Sequence, residues 1–195
     1  MKYIVSRYNH NIDWLKDYTE DYVLYDRSEK PIKDSIIAPN VGSDIYDKFT
    51  YIIDNYDNLP SVAVYTKANL FKYIPREEFD EIKDNKTYTP ILSKGHKTTE
   101  GVSFYKDGMY NEINNYWYLA PHPAKREAEL IDFLGMRGRE YNTFAPGSNY
   151  ILPKENILQH PKKYYKKLIS FLDWTAYPGE AQIIERNLHN IWSTM

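Results

Sequence analysis

Short apolar runs alternate with polar, helix-spaced segments through the amino-terminal part of the chain. Tyr3-Ile4-Val5, Tyr22-Val23-Leu24-Tyr25 and Val62-Ala63-Val64-Tyr65 are each bounded by polar residues, the pattern of buried strands. A helix is predicted over 11–18, with Ile12, Leu15 and Tyr18 facing inward. Asp26-Arg27-Ser28 ends the second strand. Asn40-Val41-Gly42 leads into Ser43, a residue suited to cap a helix, and Ile45, Phe49, Ile52 and Ile53 follow at helical spacing. Asp57-Asn58-Leu59-Pro60 reads as a turn, and Pro75 opens a short acidic helix at its first position.

Strands alternating with helices over 1–82 predict a parallel, doubly wound sheet. Residues 83–116 lack helical periodicity, and Val102–Tyr105, Asp107-Gly108 and Met109-Tyr110 read as a hairpin. Helices return at 124–134, from Pro161 to 172 and from Pro178 to 192, with Tyr150-Ile151-Leu152 as one more strand. No Gly- or Ser-rich linker, repeat or low-complexity tract interrupts the chain. The expected fold class is therefore a single α/β, Rossmann-like domain with a mostly parallel mixed sheet flanked by helices.

Composition narrows the partners. The 195 residues suffice for one well-buried core. Lys plus Arg number 25 against 27 Asp plus Glu, so there is no basic excess and nucleic acid is not an expected partner. Lys162-Lys163 with Lys166-Lys167 reads as the wet face of a helix. Cysteine is absent, which excludes disulfides and thiolate chemistry and suits a reducing compartment. The start turns polar too soon for a signal peptide and nothing approaches a membrane span, so the expected location is the cytoplasm. The 20 Tyr beside 7 Phe have two readings of equal standing: flat polar-tipped surfaces for sugar or base stacking, or a biased genome.

In an open parallel sheet, ligands bind outside the carboxyl ends of the strands. That rule selects Ser6-Arg7, Asp26-Arg27-Ser28 and Thr66-Lys67-Ala68-Asn69. A strand-end aspartate such as Asp26 can accept from a uracil or a ribose hydroxyl, or can merely cap a turn. Arg7 and Lys67 can neutralise a diphosphate, and Asn40 to Gly42 offers backbone donors at a helix start or simply serves a tight turn. No Gly-rich phosphate loop of either common type is present, which argues against a P-loop or dinucleotide enzyme.

The order of these pieces resembles the nucleotide half of GT-A glycosyltransferases. Asn40-Val41-Gly42-Ser43, the stretch from Ile53 to Pro60, and the strand running into Asn69-Leu70-Phe71 are similar to glycosyltransferase-like proteins that include chlorella-virus domains serving capsid glycosylation. The carboxyl part is similar too, at Asn149–Leu152, Lys154–Leu158, His160-Pro161, Tyr164-Tyr165 and Glu185-Arg186 with His189 and Trp192. The resemblance is thinnest across 83–140. It implies a nucleotide-binding half at 1–82 and an acceptor half at 83–195. The implied reaction is sugar transfer from a nucleotide-sugar donor, a UDP-sugar, to a glycan or glycoprotein acceptor, in host cytoplasm if the protein is viral. Ser6, Arg7, Asp26, Ser28, Asn40, Gly42, Lys67 and Asn69 are the implied substrate-binding residues. Such enzymes usually hold Mn²⁺ or Mg²⁺ on an Asp-x-Asp motif, and none occurs here. Glu78-Phe79-Asp80 reads as a solvated helix face, and Lys67 can supply positive charge where the metal would stand.

Glu185 and His189, four apart on one predicted helix, are the candidate catalytic bases. Their alternative is structural, Glu185 pairing at the surface and His189 packing near Trp192. Trp117 between Tyr116 and Tyr118 offers a stacking floor or core packing. His122, His160, Arg137 and Arg139 have structural roles by default. A non-catalytic nucleotide- or carbohydrate-binding module on the same fold is the alternative function, and another enzyme on a doubly wound sheet stays open.

Overall fold

In the computed structural model, which describes residues 1–193, the strands form where apolar residues alternate about a buried sheet. β1 (Lys2–Arg7), β2 (Tyr22–Asp26), β3 (Ile36–Ile37) and β4 (Val62–Lys67) run parallel; β9 (Tyr150–Pro153) is antiparallel to both β4 and the short β5 (Thr89–Pro90). The order is β3-β2-β1-β4-β9-β5. The chain thus winds outward from β1 on one side and returns to β4 on the other. The boundary between β1 and β4 is the point where the strand order reverses.

Alternation assigns the two faces. Ile4, Ala63, Tyr65, Tyr150 and Leu152 point to one, under α1 (Ser43–Asp54), α5 (Lys162–Ile169), α6 (Gly179–Glu185) and α7 (Leu188–Trp192). Tyr3, Val5, Leu24, Val64 and Ile151 point to the other, under Trp14, Leu15, Leu70 and Phe79 of α2 (Arg76–Ile82). The first cluster draws residues from both halves of the chain, Ile4 and Phe49 as well as Leu130 of α3 (Glu127–Phe133), and the whole is one α/β domain. A second, antiparallel sheet runs β6 (Ser103–Lys106), β7 (Met109–Ile113), β8 (Tyr141–Thr143). Its hairpin turns on Asp107 and Gly108, both with positive φ (52° and 75°), as a two-residue turn of matching twist requires. α4 (Lys154–Leu158) follows β9 directly. No helix of the described residues is long and apolar enough to cross a membrane.

Three expectations need correction. The segment 11–18 is a single 3-10 turn, Asp13–Asp17, started when the Asn11 side chain accepts the Asp13 N–H; Trp14 and Leu15 are its buried residues. Ser43 does not cap α1. Gly42 does, at φ 62°, because the chain there crosses Leu172 so closely that an added Cβ would lie 2.7 Å from that side chain. The predicted helix 178–192 breaks at Arg186-Asn187, where Arg186 leaves to pair with Glu112 and the Asn187 carbonyl oxygen of the side chain accepts from Arg139 (2.6 Å). Residues 117–119 are a 3-10 turn, with Tyr118 buried and Trp117 half exposed. Ile184, Leu188 and Ile191 anchor the two short helices and are all buried. The strands β3 and β8, two and three residues long, escape any periodicity argument.

Candidate functional site

A cavity of about 160 Å³ opens at the carboxyl ends of β1 and β4, where the strand order reverses. Ser6, Arg7, Lys67 and Asn69 line it, as the strand-end rule expects. Tyr8, Tyr73 and Tyr177 supply flat walls, and His10, Arg27, Ser43 and Asp44 complete it. Register pairs Arg7 with Asp26 and Ser6 with Lys67, so Asp26 and Lys67 stand two strand spacings apart, roughly 10 Å.

Three cations face this space and each is held from behind by a buried carboxylate. Arg7 Nη1 donates to Asp26 Oδ2 (2.6 Å) and Ser28 Oγ (2.9 Å), while its Nε donates to the His10 carbonyl (2.9 Å). Arg27 lies 2.5 Å from Asp47. That contact is off the hydrogen-bonding direction: Arg27 Nε and Nη2 and both Asp47 oxygens lack aligned partners, although the Arg27 side chain is only 6% exposed. These atoms are sealed from solvent, and Arg27 Nη1 donates to the Val41 carbonyl (3.1 Å), so Arg27 contributes its charge to the cavity wall rather than free donors. Lys67 Nζ stands 3.1 Å from Asp44 Oδ1 and 5.5 Å from the Tyr73 ring centre.

The Asp44 carboxylate is the hub. Its Oδ1 takes Lys67 and the Ser43 hydroxyl (3.0 Å); its Oδ2 takes Lys48 and the Ser148 hydroxyl. Lys48 is fully buried and also donates to the Ser148 carbonyl (2.7 Å). Burial alone would raise Asp44, but the two ammonium groups outweigh it and hold the carboxyl well below its usual range. Burial would likewise lower Lys67, yet Asp44 and Glu185 together keep its ammonium above the ordinary lysine value. For Asp47 burial prevails over Arg27 and pushes the carboxyl up to about 6. Ser43 and Ser148, which flank the hub, both hold positive φ (56° and 58°), a left-handed geometry that costs non-glycine residues about 1–3 kcal/mol.

Several expected site residues lie elsewhere. Asp26 is fully buried, accepts the Ser28 and Ile32 N–H groups (3.0 and 2.9 Å), and has no face on the cavity; it positions Arg7. Burial would raise it, but those N–H donors, Ser28 and Arg7 lower it. Ser28 is buried as an acceptor for Arg7. Asn40 is exposed and does not line the cavity, and Gly42 is a packing glycine against Leu172. With the carboxyl-terminal helix broken, His189 parts from Glu185: its Nδ1 meets the Tyr88 hydroxyl (2.9 Å) and it borders grooves beside β8, not the strand ends. Glu185 instead accepts the Gly147 N–H (2.7 Å), and its charge reaches Lys67 and Lys48. The Glu78-Phe79-Asp80 stretch buries Phe79 and spends Glu78 on Ser93 and the Lys94 N–H. His160 stacks on Tyr164 at 4.0 Å, and Arg139 donates to the carbonyls that end α3.

Arg27 lay in a selected strand end but was given no role, and Asp44, Asp47, Lys48, Tyr73, Ser148 and Tyr177 were not foreseen. α1 carried a signal: Asp44, Asp47 and Lys48 share a turn with the apolar Ile45 and Phe49, charges on a face that must be buried. Tyr73, Ser148 and Tyr177 reach the site only through tertiary folding. Among the described residues no three His, Cys, Asp or Glu gather as a metal set. Asp44, the carboxylate at the cavity, has both oxygens committed to two lysines and two hydroxyls, so the residues present do not fit Mn²⁺ or Mg²⁺. The chain matches no protein-family model, no curated protein and no solved structure.

Proposed function

We propose that this chain is a glycosyltransferase that takes a sugar from a nucleotide-diphosphate donor, a UDP-sugar by resemblance, and delivers it to a glycan or glycoprotein acceptor. The observation that carries this reading is the wall of three cations, Arg7, Arg27 and Lys67, around one cavity at the strand-order reversal. A diphosphate supplies oxygens that complement those cations, and the tyrosine walls suit a base or a ring. In transfer, an acceptor hydroxyl oxygen bonds to the anomeric carbon as the bond from that carbon to the phosphate oxygen breaks. The electron pair leaves with the diphosphate, where the three cations meet the developing charge. Glu185, partly exposed and electrostatically linked to Lys67, takes the hydroxyl proton. Asp44 fixes Lys67, so charge neutralisation falls to side chains and the reaction runs without a divalent ion.

Calorimetry with UDP in the presence of a chelator tests the site. We expect binding in chelator, little changed by added Mn²⁺, and weakened by about 1.5–3 kcal/mol in Lys67→Gln, the worth of one charged hydrogen bond. Strict dependence on Mn²⁺ would refute the all-side-chain site; absence of nucleotide binding would refute the donor reading. A second reading, a binding module that has lost catalysis, is favoured by the commitment of Asp44 to lysines. Release of free sugar from a UDP-sugar decides between them, since a binder releases none.

A further inference from the structure

A second cavity, of about 410 Å³, opens between β7, the turn at Trp117–Leu119 and the end of α6. Trp117 presents its ring there with 50% of the residue in solvent, an uneconomical exposure for so large an apolar surface. The residue before it, Tyr116, holds φ 56°, a left-handed geometry that costs a bulky side chain about 1–3 kcal/mol and persists where surroundings enforce it. Strained backbone thus turns an indole toward an open space rather than into the core.

The remaining wall says what fits against that ring. Arg186 and Glu112 face each other at 2.5 and 3.3 Å, both buried, with the guanidinium 3.6 Å from the Tyr118 ring centre. That pair is self-neutralised and forms a floor. Glu185 is different: one oxygen accepts the Gly147 N–H, and among the described residues the other has no hydrogen bond. The cavity thus pairs one broad aromatic face with one carboxylate oxygen that only accepts, and the His96, Thr99 and Tyr110 side chains at its rim can donate as well as accept. Such a set suits an uncharged ring with apolar C–H faces and hydroxyls at its edge.

The two cavities meet at Gly147. An added Cβ on Gly147 would lie 2.5 Å from the Tyr73 ring, which walls the anion cavity, while the Gly147 N–H holds Glu185 in the second. We infer that the second cavity binds a neutral sugar ring, stacked on Trp117 with a hydroxyl donated to Glu185. That this sugar is the acceptor rests on the transfer reading above; that it binds does not.

The test is saturation-transfer NMR with a panel of neutral methyl glycosides of hexoses, pentoses and deoxyhexoses. UDP binding is measured in parallel by calorimetry. We expect at least one glycoside to bind, at least a tenfold loss in Trp117→Ala and in Glu185→Gln, and retention in Trp117→Phe, which keeps a stacking face. UDP affinity should stay unchanged in Trp117→Ala, whose exposed position leaves folding intact. Failure of every glycoside, binding that survives Trp117→Ala, or occupation by uncharged nucleosides instead would overturn the inference. Glycoside binding without UDP binding would uphold this site while removing the transfer reading, so the two fail separately.

Discussion

Arg7 can present a guanidinium to the anion cavity only because Asp26, two strands from Lys67, holds its other face. The pair is nearly enclosed, at 13% and 0% side-chain exposure, and removing one partner of such a pair leaves a buried charge uncompensated. Asp26→Asn should therefore destabilise the chain by about 3–5 kcal/mol in urea unfolding, and sulfate binding at the cavity should weaken with it. Ser28→Ala removes a neutral acceptor from the same arginine and should cost only about 1 kcal/mol. Equal, small effects from both substitutions would mean that Arg7 finds other support. The identity of the strand-end residues was readable in the sequence, since a polar residue after an apolar strand must meet solvent or a ligand. Which of them faces the ligand was not. Asp26 and Arg7 are both polar and both terminal, and only the pairing across β1 and β2 decides that the arginine stands in front.

The segment from Phe144 to Asn149, between β8 and β9, is the element that joins the two cavities. Ser148 braces Lys48 and Asp44, Asn149 accepts the Lys67 N–H (2.9 Å), Gly147 holds Glu185, and Phe144 and Pro146 line the second cavity. Gly147 has φ 91° and no room beside Tyr73, so Gly147→Ala should displace the tyrosine ring and loosen Glu185 together. The expected outcome is weaker binding of both UDP and glycosides, read by calorimetry and NMR. Gly101→Ala is the control: its φ of 72° carries similar strain, but nothing lies within 4 Å of the new Cβ, so ligand binding should not change. The sequence disclosed β9 by its apolar run and the hairpin by Asp107-Gly108, because both are local patterns. It disclosed neither the partition nor the helix break after Glu185. Those depend on Arg186 reaching Glu112, 74 residues away, and on Ser148 reaching Asp44, 104 residues away. The tyrosines occupy two kinds of place: Tyr3, Tyr25, Tyr65, Tyr150 and Tyr165 are core, whereas Tyr8, Tyr73 and Tyr177 wall the anion cavity.

Across the whole molecule the acidic and basic groups nearly cancel, yet their placement couples the anion cavity to pH. Asp47 is the group that titrates in a useful window: burial pushes it up to about 6 against the opposing charge of Arg27. Asp44 lies far below that window and Lys67 far above it, so both stay charged throughout. As pH falls through 6, Asp47 gains its proton and ceases to offset Arg27, and the cavity becomes more positive. Sulfate, whose own charge is constant over this range, should bind more tightly at about pH 5.5 than at about pH 7.5; by reciprocity, bound sulfate should raise the Asp47 affinity for its proton. Asp47→Asn, which removes the titrating carboxyl, should abolish this preference for the lower pH. Stability follows the same sign. A carboxyl raised in the folded state contributes stability that is complete below its unfolded value of about 3.9 and is lost as pH rises through about 6. Relative to Asp47→Asn, the wild-type chain should therefore lose roughly 1 kcal/mol between about pH 5.5 and about pH 7.5 in urea unfolding. No difference over this range would mean that Asp47 is ionised throughout and pairs with Arg27 as a permanent ion pair, and the anion cavity would then show no Asp47-linked pH response.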